Sequence, residues 1–145
     1  MNAFNVRLVR WEAAAPALSR VRRAVFIEEQ GVPEALEWDG GDEAALHALA
    51  TTEGEDAIGT ARLIIHGTLA HIGRMAVLAP WRGRGVGSAM LRLLLEEAGA
   101  RGATSAFLNA QTKALPFYER FGFRREGEEF LDAGIPHYRM TRPLP

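Results

Sequence analysis

The chain has 145 residues, 48% of them hydrophobic and 24% charged, with a formal net charge of −1. That length suffices for one compact domain over residues 1–145 with a core of its own. The near-neutral balance supplies no basic field for nucleic acid, and the absence of cysteine excludes a disulfide framework, a thiolate zinc site and a cysteine nucleophile.

The first residues lack the basic region and long apolar run of a signal peptide, and no apolar stretch approaches the roughly 20 residues needed to span a bilayer. A reducing cytoplasm is the expected location, without a membrane partner. Asn5 to Trp11 reads as a first strand. A helix follows, with Leu18, Val21, Ala24 and Val25 at helical spacing opposite Arg20, Arg22 and Arg23, and it fades near Gly31. Pro33 to Glu43 is acidic, contains Gly40 and Gly41, and reads as a loop. Short apolar runs at His47 to Thr52, Ala57 to Ile65 and Leu69 to Val77 predict three strands joined by tight turns. From Gly85 to about Ala100 the positions Val86, Met90, Leu93 and Leu94 mark an amphipathic helix with Ser88, Arg92 and Glu96 on its wet side. Ser105 to Ala110 is a strand, and Ala114 to Phe121 a short helix with Pro116 in its first turn and Gly122 as its stop. Two last strands complete a mixed α/β or α+β layer fold.

The most informative stretch runs Val77-Leu-Ala-Pro80-Trp-Arg82-Gly-Arg84-Gly85-Val-Gly87-Ser88, between a strand and the long helix. Glycines at 83, 85 and 87 permit positive φ and close approach, so successive N–H groups can converge on one anion. The helix start adds unpaired amides and the positive end of its dipole, and Arg82 and Arg84 can neutralise phosphate. A pyrophosphate suits this loop. It is not a P-loop, for want of Gly-Lys-Ser/Thr, and not a dinucleotide fingerprint, because Ser88 stands at the last glycine position.

Arg82-Gly83-Arg84-Gly85-Val86-Gly87 instead resembles the Arg/Gln-x-x-Gly-x-Gly/Ala signature of the GNAT N-acetyltransferases. Downstream, Asn109-Ala-Gln111-Thr-Lys-Ala114-Leu-Pro-Phe117-Tyr118-Glu-Arg-Phe121-Gly122-Phe123 is similar to that family's second hallmark. Arg23-x-x-Phe26-x-x-Glu29-Gln30, Glu37-x-Asp39 and Gly134-Ile135-x-His137 look like a bacterial branch of it. Acyl-homoserine lactone synthases share some of that pattern, but their chains are longer and depart from the pyrophosphate motif.

The resemblance implies a GNAT fold: a mixed sheet of about six to seven strands, splayed between the fourth and fifth and flanked by about four helices. It implies acetyl-CoA as donor cosubstrate and a small-molecule or peptide amine as acceptor; a homodimer is expected from the family alone, and no metal is expected, from the spacing of the histidines. Met75, Ala76, Val77, Arg82, Gly83, Arg84, Gly85, Val86, Gly87, Ser88, Asn109, Ala114, Phe117 and Tyr118 are the implied donor-site residues. Tyr118 is also the implied general acid, against packing alone among Phe117, Phe121 and Phe123. An N–H near Met75 or Ala76 is the implied oxyanion donor.

The base is open among Glu29, Glu37, Asp39, His71 and His137, which also stand as acceptor contacts. Strand alternation puts His71 on one face with Gly73 and Met75 unless a bulge intervenes, and Arg74 on the other, as a structural ion pair. The acidic loop either draws a cationic amine or is a solvated face. The histidines lack metal-ligand spacing. Two other classes remain: a non-catalytic acyl-CoA-binding regulatory module, and an interaction domain whose glycine turn takes no ligand.

Overall fold

The computed structural model describes residues 3–145. Strand β1 (Phe4–Arg10) leads into helix α1 (Trp11–Arg22), which widens into one stretch of π-helix at Arg23–Glu29. After the short helix α2 (Glu34–Glu37) come β2 (Leu46–Thr52), β3 (Ala57–His66) and β4 (Leu69–Val77), then α3 (Val86–Ala100). Strand β5 (Ser105–Gln111), helix α4 (Leu115–Glu119) and the hairpin β6 (Arg124–Asp132) and β7 (Ile135–Pro143) finish the chain. Two expectations change at the edges: Trp11 opens α1 instead of ending β1, and the Pro33–Glu43 segment contains α2. No helix among the described residues is long and apolar enough to cross a membrane.

The seven strands form one sheet in the order β1-β2-β3-β4-β5-β7-β6, antiparallel throughout except for the parallel pair β4 and β5. Helices cover both faces. On β2, Ala48 and Ala50 belong to the cluster under α3 with Met90, Leu91 and Leu94, while the alternate residue Leu49 joins Leu18, Val21 and Val25 of the helix on the other side. Gly59 of β3 lies where α3 crosses closely: a Cβ there would stand 3.0 Å from Val86 and 3.1 Å from Met90.

Two irregularities in β4 make room for a site. Gly73 opposes Arg62 and Ala76 opposes Thr60, so Arg74 and Met75 together face Ala61, which is a bulge of one extra residue. Arg74 takes φ 52°, a left-handed conformation that costs a residue bearing a Cβ about 1–2 kcal/mol. Side-chain alternation inverts across the bulge. Ala70 and Ile72 pack under α3, whereas Ala76 packs with the α1 cluster, and Met75 moves to the α3 side, away from the face of His71 and Gly73. The second irregularity is the short seam: β4 and β5 pair only through Leu69 with Ser105, Ala70 with Ala106 and His71 with Phe107. Beyond it the strands diverge, as expected between the fourth and fifth strands.

An ion network holds α2 and the acidic loop against this opening. Arg22, expected on the wet side of α1, is only 1% exposed. Its guanidinium donates to Glu37 (2.8 Å to Oε2, 3.1 Å to the carbonyl) and to Asp42 (2.6 Å), and lies 5.7 and 5.0 Å from the ring centroids of Trp11 and Trp38. Arg62 forks onto Asp39 at 2.9 and 2.8 Å and also reaches Asp42 at 3.2 Å. Arg74 reaches Glu37 and Asp39, each at 3.1 Å, so the arginine at the bulge forms the structural pair expected of it. Three guanidinium groups thus balance three carboxylates, and His47 Nε2 donates to the Asp42 carbonyl at 3.0 Å. Within the loop Glu37 and Asp42 are buried and paired, while Glu34, Asp39 and Glu43 stay exposed to solvent.

Arg22→Ala should lower the unfolding free energy by about 3–5 kcal/mol in urea titrations, because it leaves buried Glu37 and Asp42 short of a partner. Arg22→Lys should recover little of it, lacking the fork.

Acid should weaken the fold in two stages. Burial, followed by the neighbouring cations Arg62, His66, Arg139 and Arg74, lowers His71 to about 4, and burial also lowers His47. The unfolded chain therefore takes protons first, near pH 6.5, and stability falls as pH drops from there toward 4. Below that, hydrogen bonds from Arg62 hold Asp39 well under the usual carboxylate range; for Asp42, burial pushes upward but the Arg22 and Arg62 contacts outweigh it. Their share is present above pH 4 and is lost as pH falls further. His71→Phe, which keeps the stack on Phe107, should reduce the upper stage to the share of His47 in stability measured from pH 7 to 4 while leaving the lower one.

Candidate functional site

The diverging strands open a cleft of about 900 Å³ that runs from the N-terminus of α3 to the β6–β7 hairpin. At the α3 end, Gly83 and Gly85 take φ 75° and 85°, and a Cβ on either would meet nothing within 4 Å, so conformation alone requires glycine. The first backbone bond into the helix is Ala89 N–H to Gly85 O at 3.0 Å, and no side chain caps the terminus. The amides of Val86, Gly87 and Ser88 are thus left without helical partners beside the cleft, at the positive end of a 15-residue helix. A Cβ on Gly87 would touch Phe117 at 3.5 Å, an ordinary contact.

The two arginines of this loop are placed differently from expectation. Arg82 forks onto Glu29 at 2.7 and 2.6 Å and donates from Nε to the Val77 carbonyl at 2.9 Å. That pair ties the π-helix to the loop and, through the Arg82 hydrogen bonds, holds the Glu29 carboxyl below its ordinary range. Arg84 lies over Trp81, 5.2 Å from the ring centroid, and is not among the cleft-lining residues.

Met75, Ala76 and Val77 of β4 form one wall of the cleft, and Leu108, Asn109 and Ala114, with Phe117 and Tyr118, form the other. Asn109 is exposed on β5. The ring of Tyr118 packs edge-on against Phe117 and Phe123, at 5.0 and 6.2 Å between centroids, so it is a core aromatic that also faces the cleft. Burial raises its phenol above the ordinary value and is the sole cause of the shift.

The expected acceptor residues do not form one cluster. Glu29, Glu37 and Asp39 line the cleft with their carboxylates already engaged by arginine. His71 stacks on Phe107 with centroids 4.2 Å apart, and the Arg139 guanidinium lies 4.1 Å from the same ring. His137 differs. Its Nδ1 is 2.6 Å from the Ile135 carbonyl, which can only accept, so Nδ1 carries a hydrogen and Nε2 is the ring nitrogen left for another partner. Phe130 stacks on the imidazole at 5.8 Å.

Sequence reasoning passed over Gln30 and Gln111, whose amides meet at 2.8 Å across the cleft, and Asp132, which lines it at the hairpin tip. Gln111 stood in a quoted motif and Gln30 beside Glu29, but nothing in either stretch announces that they meet. Among the described residues no group of three or more His, Asp or Glu side chains is arranged to hold a metal.

A family model for the acetyltransferase (GNAT) domain matches residues 14–144. The uncharacterized N-acetyltransferase YjcF of Bacillus subtilis is 39% identical over 123 residues, 84% of this chain and 87% of that protein. Among solved structures, ElaA of Escherichia coli superposes with a TM-score of 0.86 at 27% identity, covering 97% of this chain and 99% of that one. An acyl-CoA N-acyltransferase from Pseudomonas aeruginosa does so with a TM-score of 0.84 at 26% identity and the same coverage. The splayed sheet, the uncapped glycine-led helix and these likenesses agree: the chain belongs to the GNAT acetyltransferase family.

Proposed function

We propose that the protein is an acetyl-CoA-dependent N-acetyltransferase, acting as one domain in the cytoplasm on a primary amine. The observation that carries this reading is the continuity of one cleft from the free amides of α3 to the Nε2 of His137. Residues 82–88 would hold the pyrophosphate through backbone N–H groups more than through side chains, since Arg82 is engaged by Glu29. The edges of β4 after His71 and of β5 after Phe107 lack each other as partners, so the amide groups of an extended pantetheine arm would pair between them. Asn109, Ala114 and Phe117 would flank that arm.

At the reacting centre the bulge re-aims the backbone around Met75 and Ala76, which suits an N–H there to the thioester oxygen as negative charge develops. His137 Nε2 would take a proton from the acceptor ammonium, freeing the nitrogen lone pair. The amine attacks the thioester carbonyl carbon, the C–N bond forms and the C–S bond breaks. Burial keeps the Tyr118 phenol protonated but also makes it a weaker acid, so it serves best as a relay. As its O–H protonates the departing sulfur, it takes up the second proton of the acceptor nitrogen, and no isolated phenolate forms.

Acetyl-CoA at about 100 times its dissociation constant should stabilise the protein by about 2.7 kcal/mol in thermal unfolding, and free coenzyme A should shift it too. No shift, with no heat of binding by calorimetry, would remove the donor assignment. Tyr118→Phe should leave that shift unchanged and reduce thiol release about 100-fold; unchanged turnover would remove the relay role, and a protein that binds coenzyme A without any amine-dependent turnover would be a regulatory module.

A further inference from the structure

The walls of the acceptor half narrow the class of amine that fits. Four carboxylates line the cleft: Glu29, Glu37, Asp39 and Asp132. The first three face arginine partners at 2.6–3.1 Å. Among the described residues Asp132 forms no ion pair and no side-chain hydrogen bond. A polyamine or a polybasic peptide needs several free carboxylates, and this cleft offers one.

The position of that one is fixed by the β6–β7 hairpin. Ala133 and Gly134 form a two-residue turn, both at positive φ (52° and 77°), the pattern of a type I′ connection. Asp132 pairs with Ile135 and Phe130 with His137 in the register, so all four side chains lie on one face of the hairpin. Two residues of strand separate Asp132 from Phe130, about 7 Å along the ribbon. Asp132 at the tip and His137 further in therefore form a line along the cleft wall. The contact between Gln30 and Gln111, the latter paired with His137, brings the end of the π-helix opposite this line.

Apolar side chains share that surface with Gln30 and Glu37. Phe26 and Val32, joined by a backbone bond of 2.8 Å, and Leu36 of α2 line the cleft on that side, with Ile135 on the hairpin. Leu36 is 55% exposed, an apolar side chain with little of the protein over it.

Resting on the acetyltransferase reading, we infer that the acceptor is a monoamine on an apolar body. Its ammonium is met at the cleft mouth by Asp132 and passes its proton to His137, while the hydrocarbon lies against Phe26, Val32 and Leu36. Asp132 binds and orients the cation; the bond-making step leaves it unchanged.

The test uses the full chain with acetyl-CoA, thiol release as readout, and two probes, 2-phenylethylamine and spermidine. The expected result is a kcat/KM for 2-phenylethylamine at least about tenfold above that for spermidine, with Asp132→Asn raising KM for 2-phenylethylamine about tenfold and changing kcat less than about threefold. Asparagine retains the turn chemistry of Asp132, and the wild-type comparison of the two probes stands whether or not the variant folds. Preference for spermidine, or an unchanged KM in a folded Asp132→Asn protein, would overturn the inference. So would failure to turn over 2-phenylethylamine in a protein that acetyl-CoA stabilises, an outcome that leaves the donor reading intact; absence of that stabilisation would end both.

Discussion

The extra residue in β4 is the constraint on which the rest of the architecture depends. A strand without it would keep alternating, carry Met75 on the face of His71, and leave Arg74 pointing into the α3 core. With it, Arg74 turns toward α2 and meets Glu37 and Asp39, so the residue that bears the backbone strain is the one that anchors the loop above the cleft. The strain is small beside the cost of leaving the buried Glu37 without charge partners. Strand, bulge and loop thus hold one another in place, and the space between β4 and β5 stays open because neither side is free to close on it.

The two ends of that space are built by different means. At the α3 terminus the groups on offer are backbone amides, aimed by glycine conformations and a helix dipole, and the nearby arginines are committed to Glu29 and Trp81. At the hairpin end they are side chains, Asp132 and His137, whose directions follow from a tight turn and a carbonyl held against Nδ1. Backbone recognition suits a donor of constant chemistry, whereas side chains on a hairpin can be exchanged without disturbing it.

Much of this was legible before any coordinates. The glycine loop before a periodic helix, and Asn109 to Phe123 following it, point to the fold and to residues that line the cleft because those segments are local: turn and helix lie within a few residues of each other. The acidic loop was not legible in the same way. Its carboxylates are satisfied by Arg22, Arg62 and Arg74, on three elements 15 to 37 residues away, and no periodicity in either partner reveals the pairing. Arg22 follows Val21 on α1, and spacing cannot separate a wet arginine from one enclosed by Trp11 and Trp38. The bulge had one local sign, Gly73 inside a strand, which suggests an irregularity without saying on which side of it the alternation resumes. Which nitrogen of His137 carries hydrogen depends on a 2.6 Å contact with Ile135, a matter of coordinates alone.

The sheet ends on β6, every residue of which is exposed. A hairpin that must reach over a cleft leaves a row of unsatisfied N–H and C=O groups along its outer rim, the kind of template on which a second chain can add a strand. Here Arg124, Arg125, Glu126, Glu128 and Glu129 crowd the rim with charge, and the register slips between Glu126 and Phe130. Both features oppose edge-to-edge growth, so the strand that borders the cleft is also guarded against aggregation.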